Sequence, residues 1–122
     1  MAGYYKPKGN VLLDKSYQFA VRIEKLSESL NKERKFNIAG QIGRSGTAIG
    51  ALSREAQRAE SDKDFVHKLN IALKEADETQ FWLNLAGDCG YIVKEEHDSL
   101  FSSCDELIRL LVSIINSKKR NF

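Results

Sequence analysis

The chain has 122 residues, 42% of them apolar and 30% charged, with a net charge of +2. That composition supplies one core and excludes a largely disordered chain. No apolar run approaches the roughly 18 residues of a membrane span and the opening MAGYYKPKGN has no apolar signal core, so a cytoplasmic protein with no membrane partner is expected.

Met1–Gly9 is a polar arm, expected to be flexible unless Tyr4 and Tyr5 dock. A single proline, Pro7, precedes everything else, so nothing interrupts long helices after it. The first helix is expected over about Leu13–Leu30, with Asn10 and Asp14 as alternative caps. Phe19, Ile23, Leu26 and Leu30 step by four and three along it and make one apolar stripe, widened by Tyr17, Ala20 and Val21. A short polar link, Asn31–Lys35, has the length that joins antiparallel helices.

The second helix is expected over about Asn37–Arg58. Ile38, Ile42, Ser45, Ile49, Leu52, Ala56 and Ala59 form a seam that continues through Gly43, Gly46 and Gly50. Each interior glycine costs about 1 kcal/mol relative to alanine. Such a run is tolerable in a helix where a neighbouring backbone comes too close for side chains. Gly43, Gly46 and Gly50 are therefore read as helix-packing residues, with Gly40 and Thr47 in the same line of small residues. The competing reading is a break near Ser45–Gly46.

Ser61-Asp-Lys-Asp64 resembles a capping box that starts a third helix over about Asp62–Asp88. Its seam is Phe65, Leu69, Ala72, Ala76, Thr79, Leu83 and Ala86. Gly90 is placed to take the left-handed conformation that closes it. A fourth helix is expected over about Lys94–Ser117, with Leu100, Cys104, Leu107, Leu111 and Ile114 as its seam. Phe101, Ile108, Val112 and Ile115 make a second stripe, which predicts a well-buried helix. Glu95 and Glu96 at its start and Lys118, Lys119 and Arg120 past its end suit the helix dipole. The fold class is all-α: an up-down-up-down four-helix bundle over residues 10–118, with a basic tail at 119–122. The apolar surface is wider than one copy needs, which points to a homo-oligomer.

No catalytic constellation emerges, and no metal or other cofactor is expected. Asp64-x-x-His67 occurs once, without the second such element of a bundle metal site. His67 and His97 lie off the seams. Cys104 falls on a core seam, Cys89 at a helix end, and there is no Cys-x-x-Cys pair. The glycines lack the strand and the Gly-Lys-Ser/Thr of a phosphate loop. Charge is the more informative feature. Residues 1–58 hold eleven Lys/Arg against five Asp/Glu, whereas residues 59–117 hold five against twelve. Lys32, Arg34, Lys35, Arg44, Arg54 and Arg58 lie on or beside the second helix and are the candidate nucleic-acid-binding set. Arg54 and Arg58, four apart, are expected to share a face. Pairing with the acidic half of the chain is the alternative use of the same cations.

Ser45-Gly-Thr-Ala-Ile-Gly-Ala51 resembles a segment of the four-helix-bundle family of 23S ribosomal RNA intervening-sequence proteins, relatives of the accessory variability proteins of diversity-generating retroelements. The resemblance extends over Asn10-Val-Leu, Lys15-Ser-Tyr-Gln-Phe-Ala20 and Gln41–Arg44. It continues through Glu55-Ala56, Ser61-Asp-Lys-Asp-Phe65, Lys68-Leu69, Ile71-Ala72, Lys74–Thr79, Trp82-Leu83 and Gly90-Tyr-Ile92. It implies a non-enzymatic bundle that assembles with itself as a barrel-like pentamer. By the same resemblance, RNA or DNA and a protein partner such as a reverse transcriptase are expected ligands of the assembly. A net charge of only +2 favours instead a structural or adaptor assembly that binds protein.

Overall fold

The computed structural model describes residues 3–122, so Met1 and Ala2 of the expected arm lie outside the described residues. Four helices follow one another: α1 (Val11–Lys32), α2 (Phe36–Ala56), α3 (Asp62–Asp88) and α4 (Lys94–Lys119). Each packs on its neighbour in sequence, and α4 returns to close the ring against α1 with the sparsest of the four contacts. That is the up-down-up-down bundle, in which no diagonal pair of helices approaches closely along the backbone.

The ends follow from local chemistry. Asn10 is the cap of α1, its side chain accepting the Leu13 N–H at 3.0 Å. Asp14 has another partner set: it accepts the Tyr5 hydroxyl at 2.5 Å and the Lys8 N–H at 2.8 Å. Ser61 caps α3 by accepting the Asp64 N–H at 3.0 Å, and Asp64 reaches back to the Glu60 N–H at 3.1 Å. Gly90 has φ +75° beyond α3. The Tyr91 N–H reaches the Ala86 carbonyl and the Gly90 N–H the Gly87 carbonyl, which is the Schellman arrangement. The same arrangement ends α1, with Lys35 N–H on Leu30 and Arg34 N–H on Asn31. There the left-handed position, φ 65°, is occupied by Arg34 rather than glycine.

Four boundaries each lie two residues from expectation, among them the start of α1 at Val11 and the end of α4 at Lys119. α1 runs on to Lys32 before Arg34 ends it. α2 stops at Ala56, so Arg58 and Ala59 lie in the turn beyond it; Gln57, Arg58 and Ala59 each donate to the carbonyl three residues back, which tightens and closes the helix. α2 is otherwise continuous through Ser45–Gly46.

The core is built from the expected seams. Phe19, Ile23, Leu26 and Leu30 meet Ile38, Ile42, Ile49, Leu69, Leu83, Leu100, Cys104, Leu107 and Leu111, all buried. Inside this apolar layer Ser45 and Thr79 are fully buried with their hydroxyls 2.9 Å apart, and Thr79 also lies 2.7 Å from the Glu75 carbonyl. This pair fixes the register of α2 against α3, because sliding either helix would strand a hydroxyl without a partner. α4 is less buried than its composition predicts. Ile115, not Ile114, completes its seam, while Phe101 and Ile108 are half-buried and Val112 is 40% exposed.

The glycines of α2 lie against α1. A Cβ at Gly46 would sit 2.6 Å from Ile23 Cγ2, one at Gly43 2.9 Å from Ser27 Oγ, and one at Gly50 3.2 Å from the Ser16 carbonyl oxygen. Gly40 meets nothing within 4 Å and does not belong to this close approach.

Candidate binding surface

The six cations proposed for nucleic acid do not form one ladder. Lys32, Arg34 and Lys35 lie at the α1–α2 turn, and Arg54 and Arg58 at the opposite end of α2. At 1.5 Å per residue, Lys35 and Arg54 are separated by roughly 28 Å along the axis. Arg44, midway, is turned toward α3 and pairs with Glu75 at 3.1 Å and with Glu78. Those carboxylates, Glu75 first, hold its guanidinium even more firmly protonated than usual. Glu78 also accepts the Trp82 indole N–H at 3.1 Å, so the cluster ties α2 to α3. Because α2 ends at Ala56, Arg54 and Arg58 share no helical face.

Of the cations in the basic half of the chain, Lys15 joins Arg44 in pairing with the acidic half inside one subunit. Lys15 meets Glu106 at 2.7 Å across α1 and α4, Lys68 meets Glu55 at 3.5 Å, and Lys118 meets Asp62 at 3.5 Å. Lys32 is 4.0 Å from Glu28, one turn back on the same helix. Among the described residues, Arg34, Lys35, Arg54 and Arg58 have no carboxylate within ion-pair range.

Two surface features gather around these unpaired cations. At one end, Arg34, Lys35, Phe36, Leu85, Cys89 and Tyr91 line an open groove of about 470 Å³. Lys35 Nζ lies 4.6 Å from the centre of the Tyr91 ring, and Phe36 is 61% exposed. On the outer face of α1 and α2, a smaller cleft of about 290 Å³ has an apolar floor of Leu13, Tyr17, Ala20, Gly50 and Ala51. Arg54 and Lys8 stand at its rim, and Tyr5 forms a wall. Tyr5 stacks on Tyr17 with centroids 4.1 Å apart, while Tyr4 is fully exposed. Burial and the hydrogen bond to Asp14 push the Tyr5 phenol up to about 12. The reciprocal bonds from Tyr5 and from the Lys8 N–H hold Asp14 below the usual carboxylate value. The cleft was not legible in the sequence. Its only signal there was the conditional docking of Tyr5, and its floor needs the close approach of α1 to Gly50.

Of the remaining reactive groups, Cys104 and His97 have partners. Cys104 is buried and donates to the Ala76 carbonyl at 3.4 Å; burial, with Asp77 and Asp105 nearby, pushes its thiol up to about 12. Cys89 is exposed. His67 is exposed, whereas His97 is half-buried, with one ring nitrogen 2.8 Å from Asn84 and the other 2.9 Å from Asp98. Among the described residues no three His, Cys, Asp or Glu side chains gather as metal ligands, and no helix is long and apolar enough to cross a membrane.

No curated protein matches this chain. A solved structure from Bacteroides thetaiotaomicron, a protein of unknown function from the S23 ribosomal protein family, is 50% identical with a TM-score of 0.83. That alignment covers 85% of this chain and 97% of the Bacteroides chain. The family model for the 23S rRNA-intervening sequence protein matches residues 8–113. The match runs from Lys8 at the end of the arm through the glycine-lined contact of α1 with α2 to Ser113 in α4, and the chain belongs to the 23S rRNA-intervening sequence protein family.

Proposed function

We propose that this protein is a non-enzymatic bundle that works by binding, in the cytoplasm, as an assembly of several copies. The observation that carries this reading is the apolar surface left over after the core is filled. Phe81 is 58% exposed, Phe36 61% and Val112 40%, all on regular helices of a bundle whose interior is otherwise closed. Side chains of this size on well-ordered helices are suited to protein contact. A five-membered ring is the assembly that the resemblance favours. Light scattering is expected to give several times the 13.8 kDa of one chain. A clean monomer at micromolar concentration would refute the reading.

A second reading adds nucleic acid as the ligand of the assembly. It is supported by the groove at the α1–α2 turn, where exposed Phe36 stands beside Arg34 and Lys35. An aromatic face next to cations suits a stacked base and its phosphate. Repeating that groove in each copy would multiply a weak contact. Filter binding to single-stranded RNA at two salt concentrations tests it. Binding that falls steeply with salt and is lost in Arg34→Ala with Lys35→Ala is expected. Recovery from the native host of a protein partner without nucleic acid would decide for an adaptor.

A further inference from the structure

We propose that the cleft on the α1/α2 face is a binding site for a small apolar acid, a compact hydrocarbon body that carries a single carboxylate. The body lies on the floor of the cleft and the carboxylate meets Arg54, with Lys8 beside it. This site stands apart from the self-association and nucleic-acid readings above and depends on neither.

The floor is built by close packing. Leu13, Tyr17 and Ala20 come from α1, and Gly50 and Ala51 from α2. The helices approach so closely here that a Cβ at Gly50 would lie 3.2 Å from the Ser16 carbonyl oxygen. The Tyr5 wall is fixed as well. Its ring stacks on Tyr17 and its hydroxyl donates to Asp14 Oδ1 at 2.5 Å, while the Lys8 N–H donates to the same oxygen at 2.8 Å. A site assembled before its ligand arrives loses little binding energy to ordering its own side chains.

The polar groups of the cleft select the charge of the ligand. The Tyr5 hydroxyl donates to Asp14, and the Thr47 hydroxyl to the Gly43 carbonyl at 2.7 Å. Neither has a hydrogen left to donate to a neutral polar ligand. What remains is cationic. Arg54 and Lys8 have no carboxylate within ion-pair range among the described residues. Arg54 stands close enough to Tyr5 for its charge to act on the phenol, and Lys8 Nζ lies 5.6 Å from the centre of the Tyr5 ring. Set against Asp14, these two cations leave the cleft with net positive charge. A guanidinium grips a carboxylate through paired N–H···O bonds. The volume, about 290 Å³, lies just under the roughly 300–1,000 Å³ usual for small-molecule pockets, which suits a body of about one or two rings.

The test is equilibrium dialysis of the full chain against 2-naphthoate, with the neutral 2-naphthamide as a control of the same shape. Saturable binding of one naphthoate per chain is expected, and about tenfold weaker binding of the amide. Counting per chain makes the result independent of how many copies associate. In Arg54→Gln the preference for the acid over the amide is expected to shrink. Ala51→Phe, which fills the floor without changing charge, is expected to abolish binding. Both positions are exposed, so helix content by circular dichroism should be unchanged; if Ala51→Phe loses it, Ala51→Leu takes its place. No saturable naphthoate binding by the parent would overturn the proposal. So would equal affinity for the amide, or parental behaviour in Arg54→Gln or in the residue 51 variant. Each of these results leaves self-association and nucleic-acid binding standing.

Discussion

Gly40→Ala and Gly46→Ala make the same chemical change, six residues apart on one helix, and only the first should stabilise the protein. Both remove a helical glycine, which favours the helix by about 1 kcal/mol. At Gly40 the new methyl meets nothing within 4 Å, so that gain is realised. At Gly46 it would lie 2.6 Å from Ile23 Cγ2, 2.8 Å from Cγ1 and 3.1 Å from Cβ. Ile23 is β-branched and fully buried, so its side chain cannot swing aside and α1 must move away from α2. Overpacking of this kind costs about 1–3 kcal/mol, which offsets or exceeds the propensity gain. The two variants should therefore differ by roughly 1–3 kcal/mol. Urea denaturation followed at 222 nm, at one fixed protein concentration, reads this as a shift of midpoint at unchanged slope. Gly46→Ala as stable as Gly40→Ala would refute the close approach of α1 to α2, and the account of the glycines with it.

Arg34 occupies the left-handed end of α1, a conformation that costs a non-glycine residue about 1–2 kcal/mol, so Arg34→Gly should be neutral or stabilising by up to about 1 kcal/mol in the same assay. Ellman's reagent at pH 8 should label one thiol per folded chain, Cys89, and a second only after unfolding exposes Cys104; two fast thiols would contradict the packing of α4. The Tyr5 phenol is raised, so its docking is fully present below the ordinary 10.0 and is lost as pH rises through about 12. Asp14 is lowered from 3.8, so its contribution holds above that value and disappears as pH falls through the lower folded one. An ultraviolet phenolate titration should lose one component near 12 in Tyr5→Phe, and a lost component near 10 would show that the arm is undocked. Arg44→Ala should lower stability by about 1 kcal/mol, a figure discounted because the side chain is half exposed, and the loss should shrink with salt; an unchanged midpoint would free Arg44 for another role.

The bundle was legible because burial on one side of a helix leaves a repeating trace. The seams from Phe19 to Leu30, Ile38 to Ala56 and Leu69 to Ala86 step by four and three, and these residues fill the core except Leu52, which is half-buried while Ser53 beside it is buried. Ser61 and Gly90 marked the limits of α3 because capping needs a particular side chain and a particular φ. Where those markers are missing, the boundaries were misplaced. α1 closes on Arg34, a residue that carries no left-handed signal. α2 closes through three bonds to carbonyls three residues back, in a segment whose side chains are compatible with continuing the helix. The outward stripe of α4 reads as buried in the sequence because periodicity identifies an apolar face without telling whether a neighbour covers it. Phe101, Ile108 and Val112 meet too little of their own subunit to be covered.

The candidate site was less legible than the fold because charge has no period that records its partner. Arg44 and Arg54 are the same residue type on the same helix, ten positions apart. At 100° per residue the two side chains point about 80° apart, a difference small enough for both to be read as one basic face. Their fates diverge because the Ser45–Thr79 hydroxyl pair sets α3 in a register that brings Glu75 and Glu78 beside Arg44. Arg54 faces outward at the rim of the cleft, over backbone that can come close only because residue 50 has no side chain. The glycines and the arginines of α2 are thus parts of one arrangement. Packing of α2 against its neighbours fixes which cations the subunit consumes and which remain unpaired. A mutation that loosens that packing, such as Gly46→Ala, should then disturb the cleft at Gly50 and Arg54 while leaving Arg44 paired with Glu75 and Glu78, so adding Arg44→Ala should lower the urea midpoint as much in Gly46→Ala as in the parent.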